Sequence, residues 1–537
     1  MNPKGEWTCD GEPKNDAYSS QATGSHPPYQ NTTPDCAVCG LPREAMETST
    51  GKKPKRTIVS GTTFTSKPGL LPILLAIVGV ILLLGVGFGL YRVIATRENN
   101  GEEVSGDATT AEFVSSKGVN GNLISQGEKI LLSVTPEKTS AASAFASKDW
   151  LEAIARYQQA TDNNRNDPES KIYLHNTQAI QAGNPLTIAA VVPIASSSDT
   201  AQEILRGVAQ AQDEFNSSNP PAGRLLQVVI VNDLDSTKSA GLAQDLVQSP
   251  QILGVLGHGI DSGSRQAIAI YEQNNLAVLS PVSTSITPSG DGNSTVKTIP
   301  QTEKAGELLG NYLQTVGITL AKYANSQQSS PAAVVFFNSD SPYSELLKRE
   351  FINALSQQNG KVVKEVDVTT ADVASEINAA SQAGANIAML ALSKNKVNQA
   401  VEIAQANASL SQALTLIGGD ELYNPTILVA GGDAIADLVL AVPWRSQPND
   451  PFATDAANIW KGRVSWRTAT AYDATQALIE AISQNATRDA VSQQLASGIP
   501  IEGTNTQTNV LEEVPLVQAT LGTEGPPGSQ YQFDPVP

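Results

Sequence analysis

The stretch "LGHGIDSGSRQAIAIYEQ", residues 256–273, has the pattern of a buried strand end, a polar turn and a helix start. Gly, Asp and Ser crowd the turn. These residue types favour turns and helix N-caps, and they also let a ligand approach the free N–H groups at a helix N-terminus. The turn is therefore either ordinary loop chemistry or part of a ligand site.

Short apolar runs alternate with helical patterns on both sides of this turn. The run "LTIAAVVPI", residues 186–194, is typical of a strand that is covered on both faces. The next segment places Ile204, Leu205, Val208, Ala211 and Phe215 on one helical stripe. The alternation continues through "ILGVLG" and "LAVLS" and begins again at "AAVVFFN", followed by "VVKEVDV", "ANIAMLAL" and "LTLIGG". Two successive series of this kind predict an α/β protein with two doubly wound, Rossmann-like lobes.

Five motifs, taken in order, resemble the type 1 periplasmic binding proteins, in particular the group that binds branched-chain and related amino acids, such as leucine-binding proteins. They are "GHGIDSGSRQAIAIYE", "LAVLSPVSTS", "NSDSPYSE", "LIGGDELYN" and "SWRTATAYDATQAL". The resemblance covers residues 186 to about 535. It implies two lobes joined by three crossing strands, within a domain at 186–537. Lobe 1 is expected at about 186–302 plus part of 434–537, and lobe 2 at about 303–433.

The same resemblance implies a set of ligand-binding residues in the cleft between the lobes. Thr284 matches the family's carboxylate-binding Thr, and Val282 and Ser283 match positions whose backbone contributes. Tyr343 matches a loop Tyr beside the ligand, and Asp420 matches an acidic residue that meets the amino group. For each residue taken alone, an ordinary loop, turn or helix-capping role remains open.

Two positions depart from the family pattern. Asp261 falls where relatives place a hydroxyl against the ligand carboxylate, so it would repel such a ligand unless it caps the helix and Ser262 or Ser264 turns inward. Thr302 falls where many relatives have an Asp for the amino group. The prediction of the fold is therefore firmer than that of amino-acid specificity. His258 is expected to be a packed residue and not a metal ligand.

A membrane-spanning segment is predicted at residues 68–91, "PGLLPILLAIVGVILLLGVGFGLY", which contains no charged residue in 24 positions. At about 1.5 Å per residue it can cross a hydrocarbon core of about 30 Å. Lys52, Lys53, Lys55, Arg56 and Lys67 precede it, and only Arg92 and Arg97 follow closely. Because basic flanks stay in the cytoplasm, we expect a single-pass protein of the cell inner membrane with a cytoplasmic N-terminus and a periplasmic binding domain.

Residues 1–67 form the expected cytoplasmic tail, and its cysteines indicate at most one knuckle of a zinc site. Cys36 and Cys39 in "TPDCAVCGLP" resemble one knuckle of a zinc ribbon, and Cys9 and His26 are the nearest further ligands. A structural zinc site takes four ligands. We favour a degenerate knuckle without metal, and a weak zinc site is the alternative. No other cofactor is expected.

Residues 92–135 are interpreted as a linker and residues 136–182 as a tetratricopeptide-like helix pair. Ala153, Tyr157 and Ala160 share one helical face, and Pro168 begins the next helix. One such unit cannot bury its own face, so it must pack on the following domain or on another copy. We favour a structural spacer over a partner-binding site.

The net charge and the motifs of the chain limit the classes of function that we expect. Residues 98–537 hold 25 Lys and Arg against 46 Asp and Glu, a net charge of −21, which disfavours nucleic-acid binding. This part of the chain has only His175 and His258, no Cys and no catalytic signature motif, so we expect no enzyme. The resemblance implies an anchored solute-binding protein that serves an ABC-type permease. The alternative is an anchored sensor of a small-molecule ligand that signals through its helical segment or its tail.

Overall fold

The computed structural model describes residues 7–9, 14, 29–31, 43–46, 121–218, 220–234, 237–258, 262–280, 286–288, 294–296, 302–447, 450–501, 503–504 and 514–536. The chain divides into two compact units, residues 1–109 and residues 110–537.

In the first unit, a small hairpin pairs strand β1 (Trp7–Cys9) antiparallel with β2 (Tyr29–Asn31). A short 3₁₀ helix, Arg43–Met46, follows, and the N–H of Lys14 donates to the carbonyl of Ala45 at 2.7 Å. Cys9 is buried. His26, Cys36 and Cys39 lie outside the described residues, so the interpretation of the knuckle stays a prediction.

No helix among the described residues is both long and apolar enough to cross a membrane. Residues 68–91 are outside the described residues. The membrane span predicted there, with the orientation that follows from it, therefore stays a prediction.

Residues 136–182, all of which are described, form three helices and not the expected pair: α1 (Pro136–Ala146), α2 (Trp150–Asn163) and α3 (Pro168–Ala182). The start of α3 at Pro168 is confirmed, as is the buried face of Ala153, Tyr157 and Ala160 on α2. Helix α1 buries mainly alanines, so large apolar residues at helical spacing do not reveal it.

Lobe 1 is built on a sheet of strands in the order β3-β5-β4-β6-β7, parallel except for β3. The strands are β3 (Ile124–Ser125), β4 (Leu186–Val192), β5 (Leu226–Asn232), β6 (Ile252–Gly257) and β7 (Ala277–Leu279). The helices between them are α4 (Ser198–Ser217), α5 (Ser239–Val247) and α6 (Ser262–Gln273). The stripe predicted on α4 is confirmed, with Phe215 half-buried and the other four residues buried.

The predicted linker at 92–135 is wrong in its last part, because Ile124 and Ser125 form the antiparallel edge strand beside β5. The helices after it are also fixed to this sheet. The side-chain oxygen of Asn176 on α3 accepts the N–H of Val228 at 2.8 Å, and its amide donates to the Val228 carbonyl at 2.7 Å. Residues of α1–α3 belong to the same buried core as β4 and β5. Of the two arrangements left open by the sequence, the helical segment therefore adopts the first and packs on the domain that follows it, as part of lobe 1 and not as a separate spacer.

Lobe 2 contains the sheet β11-β10-β12-β13-β14-β16-β17. Its strands are β10 (Ala332–Phe337), β11 (Lys361–Asp367), β12 (Ile387–Ala391), β13 (Thr415–Gly418), β14 (Val439–Ala441), β16 (Leu516–Leu521) and β17 (Tyr531–Pro535). Its helices are α7 (Thr302–Gln327), α8 (Pro342–Gln357), α9 (Val373–Gln382), α10 (Val397–Ala408) and α11 (Pro425–Gly431). The expected end of lobe 2 at 433 is too early, because β14, β16 and β17 extend its sheet.

The rest of the C-terminal part returns to lobe 1 through α12 (Pro451–Trp460), α13 (Trp466–Gln484) and α14 (Arg488–Ser497). Strand β15 (Ile499–Ile501) pairs with β9 (Ser294–Val296), which pairs with β8 (Ile286–Pro288). Helix α13 packs so closely on α4 that a Cβ at Gly207 would lie 2.2 Å from the Thr468 carbonyl oxygen. Short 3₁₀ helices occur at Gly121–Leu123, Pro221–Gly223, Lys394–Lys396, Asp420–Leu422 and Gly432–Ile435.

Candidate ligand-binding site

The candidate site lies at the carboxyl ends of the parallel strands of lobe 2, the edge where doubly wound sheets bind ligands. Asn338 follows β10 and Ser393 follows β12. The side-chain oxygen of Asn338 accepts the N–H of Ser393 at 3.0 Å, and its amide donates to the Ser393 hydroxyl at 2.9 Å. The N–H of Asn338 donates to the Ser344 hydroxyl at 2.7 Å, which joins this edge to α8. The loops around the site are therefore held together by buried hydrogen bonds.

Tyr343 and Asp420, two of the predicted ligand residues, are in direct contact. The Tyr343 hydroxyl on the first turn of α8 donates to Asp420 Oδ1 at 2.7 Å, and both side chains are buried. Gly419 allows this approach, since a Cβ there would lie 2.3 Å from the Tyr343 oxygen. The structure thus brings together two residues that are 77 positions apart in sequence.

Asp420 is a buried carboxylate that has no ion-pair partner in the part of the chain that the structure describes. Burial, and after it the charge of the neighbouring Glu421, raise its pKa to about 6, although the Tyr343 hydrogen bond and Arg467 oppose the shift. No described Lys, Arg or His forms a salt bridge with Asp420. A desolvated carboxylate in this state is stabilised by a positive partner.

A second tyrosine hydroxyl lies beside this carboxylate. Tyr312, on α7, is buried, and the charge of Asp420 is one cause of its raised pKa, after burial. The Tyr312 hydroxyl is directed at the Asp420 carboxylate, without the geometry of a formed hydrogen bond to any described residue. Asp420 is therefore flanked by two phenols.

A cavity of about 50 Å³ borders Asp420 between the lobes. Lobe 1 contributes Thr200 and Ile204 from α4 and Trp466 and Arg467 from α13. Lobe 2 contributes Lys394, Asp420 and Glu421. Side chains of both charges thus face the same space, which suits a ligand that carries an acidic and a basic group.

Arg467 connects the two lobes beside this cavity. Its guanidinium donates to Glu203 Oε2 at 3.1 Å, to the Tyr423 carbonyl at 2.8 Å and to the Asp420 carbonyl at 3.4 Å. Arg467 is 6% exposed and Glu203 is also 6% exposed. Burial raises the pKa of Glu203, and Arg467 opposes that shift.

The sequence interpretation missed Arg467, Lys394, Tyr312 and Thr200. Arg467 had a usable signal, since it is the sole cation in the apolar motif "SWRTATAYDATQAL". The other three carry no pattern that distinguishes them from surface or core residues.

The lobe 1 half of the predicted site is largely outside the described residues. This applies to Asp261, Val282, Ser283 and Thr284. Ser262 begins α6 and Thr302 begins α7, and the structure describes the backbone but not the side chains of these two residues. Ser264 is buried.

The opening turn is explained in part by packing. Gly257 has φ +138°, and a Cβ there would lie 2.1 Å from the Val191 carbonyl oxygen, so the strand end requires glycine. His258 is buried, with Nε2 3.0 Å from the Tyr271 hydroxyl and Nδ1 3.4 Å from Asp233 Oδ2. It is a packed residue, as predicted. Among the described residues no group of three His, Cys, Asp or Glu side chains could hold a metal ion.

Two doubly wound lobes with a polar site between them define the class of the bilobal α/β binding proteins. The model of the family described as "Periplasmic binding protein" matches residues 185–513, more than half of the chain. The chain therefore belongs to the periplasmic binding protein family. No curated protein matches it in sequence.

Solved structures support this fold. The branched-chain amino acid transporter substrate-binding protein LivJ from Streptococcus pneumoniae, in complex with isoleucine, has a TM-score of 0.51 and 15% identity, over 65% of this chain and 100% of that chain. A type 1 periplasmic binding protein from Bordetella pertussis has a TM-score of 0.51 and 13% identity, over 66% and 100%. An ABC transporter substrate-binding protein from Sphaerobacter thermophilus has a TM-score of 0.50 and 15% identity, over 66% and 98%. At these identities the similarity concerns the fold.

Proposed function

We propose that this protein is a membrane-anchored, extracytoplasmic solute-binding protein that captures a small amino-acid-like ligand between its lobes for an ABC-type permease. The observation that carries the proposal is the buried Asp420, which accepts a hydrogen bond from Tyr343 and forms no salt bridge with any cationic side chain among the described residues. A ligand ammonium group would supply the missing charge.

The other end of the ligand is assigned to positive groups and helix N-termini. Lys394 and Arg467 border the cavity, and α6 begins at Ser262, where free N–H groups favour a carboxylate. Thr284, Ser283 and Val282 remain part of the proposed site. Asp261 and Thr302, which depart from the family pattern, are assigned no contact with the ligand. The Streptococcus pneumoniae relative was solved with isoleucine, which supports an amino acid as the first ligand class to test.

The cavity of about 50 Å³ is well below the several hundred Å³ of typical ligand pockets. Binding of an amino acid would therefore need a wider separation of the lobes. In this proposal the ligand is enclosed when the lobes come together, and the protein performs no chemical step on it.

The test begins with mass spectrometry of small molecules that co-purify with the full chain, followed by titration calorimetry of a panel of amino acids. Asp420→Asn should weaken binding at least about thirtyfold, because losing one partner of a buried charged pair costs about 2–5 kcal/mol. The matched control is Asp455→Asn, an exposed carboxylate on α12, which should bind normally. Equal affinities in the two variants, with a ligand that binds the unaltered chain, would contradict the proposed site.

A sensor role is the second candidate, and one observation favours it. Helices α1–α3 share the core of lobe 1, so a ligand-induced movement of that lobe would also move the segment that leads back to the predicted membrane span. A sensor should change its oligomeric state or the exposure of its tail on ligand binding. A transport protein should instead bind a separate permease without such a change.

A further inference from the structure

A second cavity, of about 350 Å³, lies outside the set of residues that surrounds Asp420. Its walls come from the α2–α3 connection, α4, the segment between α12 and α13, the segment after β13, and the β16–β17 hairpin. Both lobes therefore contribute to it. Its volume falls in the range of pockets that enclose a small organic ligand.

Two N–H groups in this wall make no hydrogen bond within the described part of the chain. Trp460 is 2% exposed, and its indole Nε1–H makes no hydrogen bond to the described residues. The Nε–H of Arg206 is also buried and unbonded. Both residues line the cavity. Buried donors are normally satisfied, and an unsatisfied one costs about 1–3 kcal/mol, so two of them beside one cavity indicate an acceptor that binds there.

The charges of the wall favour an anion. Glu203 is neutralised by Arg467, and Glu524 by Arg463 at 2.5 Å. Neither Arg206 nor Lys461 forms an ion pair with the described residues. Lys461 follows the last residue of α12 and has a left-handed backbone conformation. After the internal pairs are formed, two cations without an ion-pair partner among the described residues remain in the wall, and the charges of Glu203, Asp199 and Asp167 also act on Arg206.

The remaining surface is apolar and partly aromatic. The lining includes the side chains of Pro425, Leu428, Trp460 and Phe533. Such walls suit the flat or branched apolar body of an organic molecule, whereas a bare inorganic ion would leave these apolar surfaces in contact with water.

We propose that this cavity is a second binding site, for a small organic carboxylate with an apolar body. The carboxylate accepts the N–H groups of Arg206 and Trp460, with Lys461 as a further counter-charge, and the apolar body lies against Leu428 and Phe533. The Glu203–Arg467 pair lies between this site and the one at Asp420, because Glu203 lines only the second cavity, Arg467 lines only the cavity at Asp420, and the two side chains are paired.

The test uses the full chain in detergent, labelled with 5-fluorotryptophan, and phenylacetate as the probe. The ¹⁹F resonance of Trp460 is assigned with Trp460→Phe, which keeps an aromatic ring and removes the N–H. Phenylacetate should shift this resonance saturably. Arg206→Gln should raise the apparent Kd about tenfold or more, as expected when a hydrogen bond to a charged group is lost. Lys461→Gln should raise it severalfold.

Arg165→Gln is the matched control, since Arg165 is an exposed arginine near the cavity that does not line it. It should leave the Kd unchanged, as should Asp420→Asn. No saturable shift would overturn the proposal, and so would equal affinities in Arg206→Gln and Arg165→Gln. Inorganic phosphate that binds as tightly as phenylacetate would refute the organic class. Loss of binding in Asp420→Asn alone would place the probe in the interlobe site and overturn the second one.

Discussion

Replacing Lys138 by Met should loosen both the helical segment and the sheet of lobe 1. Lys138 on α1 is 1% exposed, and its Nζ lies 2.6 Å from Glu169 Oε2 and 2.8 Å from Asp167 Oδ2 at the start of α3. Glu169 also accepts the N–H of Leu131 at 2.6 Å. Burial raises the pKa of Glu169, and Lys138 opposes this shift. The lysine therefore stabilises two carboxylates that hold α1, α3 and the preceding segment together.

The expected loss is about 3–5 kcal/mol, the usual cost of removing one partner of a buried ion pair. A loss of about 3 kcal/mol corresponds to about a hundredfold faster exchange of protected amides. Adding Glu169→Gln to Lys138→Met should recover part of it, because the uncompensated charge is removed while an acceptor for Leu131 remains. Arg156→Met is the control. Arg156 pairs with Glu152 on an exposed surface, where such a pair contributes about 0.3–0.5 kcal/mol.

Hydrogen exchange of the full chain, followed by mass spectrometry, measures this loss segment by segment. Because Asn176 on α3 bonds both backbone groups of Val228 on β5, peptides of β5 should lose protection together with those of α1–α3. Unchanged protection in β5, with loss confined to residues 136–182, would refute the view that helices and sheet form one core. A loss no larger than that of Arg156→Met would refute the assigned role of the ion cluster.

Three further predictions concern the site, the packing of α13 and the topology. Because the pKa of Asp420 is raised to about 6, the unliganded protein takes up a proton as the pH falls through about 6. A cationic ligand should therefore bind roughly tenfold more weakly at pH 5 than at pH 7. Calorimetry should show this pH dependence in the unaltered chain and none in Asp420→Asn. Gly207→Ala should lower the free energy of unfolding by about 1–3 kcal/mol, because the new Cβ would overlap the Thr468 carbonyl oxygen. Gly310→Ala, which has open space at its Cβ, should raise the free energy of unfolding by up to about 1 kcal/mol. Urea unfolding of the two variants would show whether the effects have opposite signs. Protease added to intact spheroplasts should cleave beyond residue 97, and full protection of that region would reverse the predicted orientation of the span at 68–91.

The alternation of strands and helices could be predicted because each element carries its own local pattern. The run at 186–194 is apolar except for Thr187 because β4 is buried on both faces. The stripe on α4 follows from the side that the helix presents to the sheet and to α13. Pro168 after Asp167 marks the start of α3 through local capping chemistry. These features depend on residues within one or two turns of each other, so the sequence alone was sufficient.

Only the tertiary structure could decide the features that depend on residues far apart in the sequence. Strand β3 has only two residues and no periodicity, and it exists because β5 offers an unpaired edge. The return of the C-terminal hairpin to lobe 2 depends in the same way on the free edge of β14. Arg467 pairs with Glu203 across 264 positions, which no local pattern encodes. Residue types at Tyr343 and Asp420 could be named from the sequence. The buried hydrogen bond between them, and the lack of a salt bridge to the Asp420 carboxylate in the described part of the chain, follow only from how the two loops meet at one edge of the sheet.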